Sequence, residues 1–142
     1  MSSNPITIRN LGPEDAQILD RVRPGTFSSL DPSRAWGLLA TRVNELVVAL
    51  EQGEVVGFVY GTMLMRPDKP SVFFVQEIGV NAAYRRRGIG RRLMARVTDL
   101  AMDRGCERVF LMAEPDNAEA RAFFASLEGE ERGSHVVYDW PL

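Results

Sequence analysis

The sequence predicts a single α/β domain in the order βααβββαβαββ, with one mixed, mostly antiparallel central sheet flanked by helices. Three observations carry this prediction. Strand-like apolar segments interleave with segments whose apolar residues recur every three to four positions. Gln52-Gly53 sits between two apolar runs, where a tight hairpin turn belongs. An apolar run over residues 72–80 passes through an arginine- and glycine-rich turn into an amphipathic stretch, a strand–turn–helix unit. A chain of 142 residues suits one domain over residues 1–142, with a core from about residue 6 to residue 140.

Each element has its own signal. Ile6-Thr7-Ile8-Arg9 alternates as a strand should. Gly12-Pro13-Glu14-Asp15 opens a helix, since proline suits the first helical position and acids suit the helix dipole. Ile18, Leu19 and Val22 form its apolar face, and Pro24-Gly25 stops it. After a loop containing Phe27, Asp31-Pro32 opens a second helix with Trp36, Leu39, Ala40 and Val43 on one face. Residues 46–50 form a continuous apolar run, as in a strand buried on both faces, and residues 55–65 return as its hairpin partner. Gly57 and Gly61 within that partner imply a bend or a close backbone approach.

Pro67-Asp68-Lys69-Pro70 turns the chain into the strand Val72-Phe73-Phe74-Val75, which continues through Glu77-Ile78-Gly79-Val80; Gly79 fits a bulge. The following helix has Leu93, Met94, Val97, Leu100 and Ala101 on one stripe and ends near Gly105. A strand over residues 108–113 comes next. Asp116-x-x-Glu119 resembles a capping box and begins a short helix with Ala120, Phe123, Phe124 and Leu127. Two closing strands are expected around residues 130–132 and 134–140.

Composition narrows the function classes. Seventeen basic and nineteen acidic residues leave a net charge of −2, which argues against nucleic-acid binding by bulk charge. The charges are unevenly placed: arginines crowd residues 85–96, while acids dominate from Glu114 onward. A lone Cys106 excludes an intramolecular disulfide, and a single His135 argues against a histidine metal site, so no metal is expected. Met1-Ser2-Ser3-Asn4-Pro5 has no apolar signal core and no run reaches membrane-spanning length, so a soluble, cytoplasmic protein without membrane partners is expected.

The chemistry centres on Tyr84-Arg85-Arg86-Arg87-Gly88-Ile89-Gly90-Arg91-Arg92-Leu93-Met94. The first turn of a helix has N–H groups without partners and a partial positive charge. Glycines admit a phosphate to that backbone and the arginines add charge, which together describe an anion cradle suited to a pyrophosphate. A Walker A loop is excluded, because Gly-Arg-Arg stands where Gly-Lys-Ser/Thr is required. A dinucleotide fingerprint would want a third glycine where Leu93 stands. A solvated basic patch is the simpler alternative.

Arg85-x-x-Gly88-x-Gly90, following a strand that ends Glu77-Ile78-Gly79-Val80, resembles the acetyl-coenzyme A signature of the GNAT N-acetyltransferases. The likeness runs from about Ile6 onward, and GNAT domains share the predicted element order. It implies acetyl-coenzyme A (acetyl-CoA) as cosubstrate, with Arg85, Arg86, Arg87, Gly88, Ile89, Gly90 and Arg91 at the pyrophosphate. It also implies a strand splayed from its neighbour, with pantetheine in the gap beside the backbone of Ile78, Gly79 and Val80. Asn117, Ala120, Phe123 and Phe124 match the family's Asn-x-x-Ala and aromatic pair, so the resemblance places Asn117, Ala120 and Phe124 at the cofactor; a turn or cap is the alternative for Asn117.

A charge inside the apolar strand needs a reason, and Glu77 fits the family's general base. Partial exposure of the strand or pairing with an arginine would also explain it. An alkylammonium near pKa 10.4 must lose a proton before attacking a thioester, and a base contributes on the order of 10²–10⁴-fold. The chain departs from the family at Phe124, where a tyrosine is common, and at Leu127-Glu128-Gly129, where Leu-Gly-Phe is usual. Tyr84, Tyr138 or a water would then protonate the departing thiolate, or it leaves unassisted.

Glu114, Asp116 and Asp139 are the candidate acceptor residues, although Asp116 also suits a helix cap and Glu114 a solvated surface. Asp139 lies between Tyr138 and Trp140, and carboxylates beside aromatics suit a hydroxylated polycation. The layout resembles GNAT-type aminoglycoside 3-N-acetyltransferases, enzymes of antibiotic resistance, which implies a small-molecule amine as partner. A protein or peptide N-acetyltransferase and a non-catalytic acetyl-CoA-binding module are the alternatives. Pairing through the closing strands would give a homodimer.

Overall fold

In the computed structural model, which describes residues 4–142, five strands form one sheet in the order β1-β2-β3-β4-β5. Met1-Ser2-Ser3, the start of the segment without a signal-like core, lies outside the described residues. The strands are β1 (Ile6–Leu11), β2 (Asn44–Glu51), β3 (Glu54–Leu64), β4 (Val72–Val80) and β5 (Val109–Phe110). The first four pair antiparallel, and β4 pairs with β5 in parallel. Helices α1 (Pro32–Ala40), α2 (Ile89–Asp103) and α3 (Ala118–Ser126) complete the regular structure with two 3₁₀ segments, Pro13–Asp20 and Ala82–Tyr84. The chain divides into a larger compact unit running to Leu111 and a smaller one, Met112–Leu142.

In the larger unit both faces of the sheet are covered. On one, Ile89, Leu93, Val97 and Ala101 of α2 pack against Val47, Ala49, Val56, Val59, Phe73 and Val75. Those four α2 residues follow the helical repeat, which is why the stripe was legible. On the other face Leu19 and Leu39 pack against Leu46, Val48, Val55 and Phe58, with Phe27 and Tyr60 at the margin.

Gln52 and Gly53 both have positive φ (49° and 78°), as a two-residue hairpin turn requires. The Asp31 carboxylate accepts from the N–H groups of Ser33 and Arg34, each at 3.0 Å, and so caps α1.

Several expectations change. The first predicted helix is 3₁₀: the Asp15 N–H donates to the Gly12 carbonyl three residues back, and the end of the segment is stitched to β3 by bonds between Val55 and both Arg21 and Arg23. β5 is shorter than residues 108–113, and α1 stops at Ala40.

The smaller unit contains α3 and, among the described residues, no strand; residues 127–142 have no regular structure. The two expected closing strands would be joined by Gly133 alone, too short for a hairpin. Glu131 is instead held by Arg121 of α3 at 2.7 Å. The expected element order therefore holds from β1 to α3, with a 3₁₀ segment for its first helix and without its last two strands.

A candidate acetyl-donor site at the end of strand β4

The turn after β4 has the backbone of an anion cradle. Arg86 (φ 64°) and Gly88 (φ 74°) are left-handed, while Arg87 between them is not. Alternating hand turns successive N–H groups toward one concave side. Gly88 is the N-cap of α2, whose first N–H groups lack intrahelical acceptors. A Cβ built on Gly88 meets nothing within 4 Å, so the space in front of this backbone is open. These features fit a pyrophosphate.

The arginines divide their work. The Arg87 guanidinium lies 4.8 Å from the centroid of the Tyr84 ring and 3.8 Å from the Glu51 carboxylate. Arg92 donates to the Ile6 carbonyl at 3.0 Å, and Arg96 to Asn10 Oδ1 at 3.1 Å. These three tie the turn and α2 to the sheet. Arg85 Nε reaches the Val80 carbonyl at 3.4 Å. Among the described residues Arg86 has neither a hydrogen bond nor an ion pair.

β4 itself is split by a bulge. Tyr60 faces Glu77 and Gly61 faces Val75, so Gln76 is an extra residue on β4. Side chains on a strand alternate, so in a regular strand Glu77 would share the α2 face with Phe73 and Val75. The extra residue turns it to the opposite face, where it is exposed. The bulge lies at Gln76 and not at Gly79. Gly79 is needed for another reason: a Cβ there would lie 2.7 Å from the Phe58 ring. Gly61 serves the bulge, since its Cβ would lie 2.2 Å from the Phe74 carbonyl oxygen.

Pairing with β5 covers only Phe73 and Phe74. No strand of the described residues pairs with the β5 side of residues 75–80, an open edge that includes Ile78, Gly79 and Val80.

Opposite Glu77, the Tyr60 hydroxyl donates to Glu77 Oε2 at 2.7 Å. Burial first, and then the bond to Glu77, push the Tyr60 phenol up to about 12, so it keeps its proton at neutral pH. Tyr60 was not foreseen; a phenol beside a strand charge on a hairpin partner was the available signal. Tyr84 is no free acid. It is buried and donates to Glu51 Oε1 at 2.7 Å, which raises its pKa. Buried Asn81, leading into the cradle, donates from Nδ2 to the Pro24 carbonyl (2.9 Å) and to Thr26 Oγ1 (3.0 Å), anchoring the Phe27 loop.

Glu77, Ile78, Gly79, Val80 and the cradle thus belong to one strand and its outgoing turn. Asn117, Ala120, Phe124, Glu114, Asp116 and Asp139 belong to the smaller unit. There Asn117 Oδ1 accepts from the Ala120 N–H at 3.1 Å and caps α3. The cap is therefore Asn117 and not Asp116: both side chains can cap, and the helix begins one residue later than the Asp-x-x-Glu spacing implied. Phe123 and Phe124 are half-buried, with ring centroids 5.3 Å apart. Glu114, Asp116 and Asp139 are exposed, and the rings of Tyr138 and Trp140 lie 6.5 Å apart on either side of Asp139 in sequence.

A bulged strand opening into a glycine–arginine turn at a helix start is the candidate site of this α/β sheet. The sequence profile of the acetyltransferase (GNAT) family matches residues 16–128, and the chain belongs to that family. Enzymes of this family use acetyl-CoA as acetyl donor. The chain is 34% identical over 139 residues to the N-alpha-acetyltransferase RimI of Mycobacterium tuberculosis, covering 96% of this chain and 85% of that one. It is 33% identical over 91 residues to an L-2,4-diaminobutyric acid acetyltransferase of Nocardia farcinica; this covers 64% of the chain and 46% of that relative, about half its length. Among solved structures, aminoglycoside N-acetyltransferase AAC(6')-Iy in complex with CoA superimposes with a TM-score of 0.82 at 18% identity, covering 99% and 98% of the two chains. That last likeness is one of fold.

Proposed function

We propose that the protein transfers the acetyl group of acetyl-CoA directly to a primary amine, and that the amine is the N-terminus of a peptide or protein. The observation that carries this reading is Glu77, turned by the Gln76 bulge to the exposed face of the strand that leads into the cradle. Acetyl-CoA supplies the activated thioester. The backbone of residues 86–91 and the Arg86 side chain hold its pyrophosphate, and the open edge of residues 78–80 lies along its pantetheine. Glu77 takes the proton that the attacking amine must lose.

The acceptor follows from two considerations. Likeness to the RimI enzyme extends over nearly the whole chain. At pH 7.4 about a quarter of an α-amine is neutral, against about one in a thousand alkylamines. An exposed carboxylate suits the amine that is already partly neutral. An aminoglycoside is the second reading, favoured by exposed Asp139 between Tyr138 and Trp140, with Glu114 and Asp116 as further anions. No position on the aminoglycoside is singled out, and the 3-N site expected from the sequence has no further support.

Thiol release from acetyl-CoA should be followed with an N-terminally free peptide, an aminoglycoside and diaminobutyrate side by side. The peptide should have the highest kcat/KM. Glu77→Gln should lower kcat on the order of 10²-fold while acetyl-CoA affinity by calorimetry is unchanged. Preference for the aminoglycoside, with Asp139→Asn raising its KM alone, would establish the second reading.

A further inference from the structure

We propose that Tyr60 is the positioning residue for Glu77: it holds Oε2 in a hydrogen bond and leaves Oε1 as the oxygen that receives the acceptor's proton. This rests on Glu77 acting as base. Tyr60 and Glu77 are direct partners in the β3–β4 register, and the bond between them is 2.7 Å. A glutamate on an exposed strand face otherwise samples several rotamers. The phenol converts that spread into one orientation.

Tyr60 is itself held. Its ring stacks on Phe58 with centroids 5.8 Å apart, and Phe58 stacks on Phe27 at 4.0 Å. Phe58 is 1% exposed and occupies the space that a Cβ on Gly79 would fill. The ring plane is therefore set from beneath, and the hydroxyl is carried to one place beside the carboxylate. Because Oε2 already accepts from Tyr60, an incoming ammonium or bridging water meets Oε1.

The protons balance. One proton of the acceptor ammonium passes to Oε1 and later to solvent. The neutral nitrogen attacks the thioester carbonyl carbon, the C–N bond forms, the C–S bond breaks, and sulfur leaves with the electron pair. The second nitrogen proton goes through water to sulfur, so an amide and a thiol result. Tyr60 retains its own proton throughout, consistent with the burial and bonding that favour the neutral phenol.

Tyr60→Phe keeps the ring and its stacking and removes only the hydroxyl. With acetyl-CoA and an N-terminally free peptide, the variant should lose about tenfold in kcat with the KM for acetyl-CoA unchanged. In a Glu77→Gln background the same substitution should change kcat less than about twofold, because the two residues act as a pair. Wild-type kcat in Tyr60→Phe would overturn the proposal and leave Glu77 as base. Equal losses in both backgrounds would overturn it too, since they would mark a structural role. Wild-type turnover in Glu77→Gln alone would overturn the base and this inference together.

Discussion

The two halves of β4 share one backbone and differ in everything that surrounds it. In residues 72–75, Phe73 and Val75 are fully enclosed under α2, and Phe73 and Phe74 pair on both edges. In residues 76–80 one edge is open, Gln76 and Glu77 are exposed, and the remaining three are half-buried. The boundary is one extra residue. Because strand side chains alternate, a one-residue shift carries an acid from the α2 face to the opposite face within a single strand. A strand can in this way anchor a fold with one half and present chemistry with the other.

Three experiments would break or sharpen this contrast. Phe73→Ala strikes the anchoring half and should cost ~3–5 kcal/mol in urea unfolding, with kcat per folded molecule nearly unchanged. A large kcat loss at full folding would show that the halves are not separable. Gly61→Ala strikes the boundary, because the new methyl group must displace the Phe74 carbonyl. It should cost ~1–3 kcal/mol and lower turnover up to about a hundredfold by misplacing Glu77. Preserved turnover would mean that the bulge does not set the carboxylate's position.

The smallest effect is a titration. The folded protein holds the Tyr60 proton up to about 12, whereas an unfolded tyrosine releases it near ~10. This contribution to stability is whole below about pH 10 and disappears as the pH rises toward about 12. Stability followed by urea unfolding should decline over that window, and less steeply in Tyr60→Phe. Identical slopes would show that burial and the Glu77 bond together do not raise the Tyr60 pKa.

Much of this arrangement was legible from residue patterns. The Gln52-Gly53 turn and the α2 stripe are local consequences of dihedral freedom and periodicity, and the tight approaches at Gly57 and Gly61 were marked by glycines inside a strand. The glycine turn into α2 was legible for the same reason, since left-handed Gly88 and the helix start are adjacent in sequence. The bulge was expected at Gly79 because a glycine inside a strand draws attention. A further signal was phase: Glu77 stands in step with buried Phe73 and Val75, a conflict that the one-residue shift upstream of it resolves. Tyr60 went unforeseen because its role depends on cross-strand register, which no single strand encodes. Val136, Val137, Tyr138 and Trp140 have strand propensity yet are exposed and unpaired among the described residues. Propensity is local, whereas a ladder needs a partner and a turn long enough to reach it.

The contact between Gly79 and Phe58 also bears on how this site can change over generations or in the hands of an engineer. Gly79 cannot acquire a side chain while the Phe58 ring occupies its Cβ position, 2.7 Å away. Shrinking Phe58 to make room would release Phe27 on one side and Tyr60 on the other, because both stack on it. The loop beside the sheet and the partner of the carboxylate are therefore inherited as one block. New acceptors are reached more readily by altering residues around that aromatic column than by cutting into it.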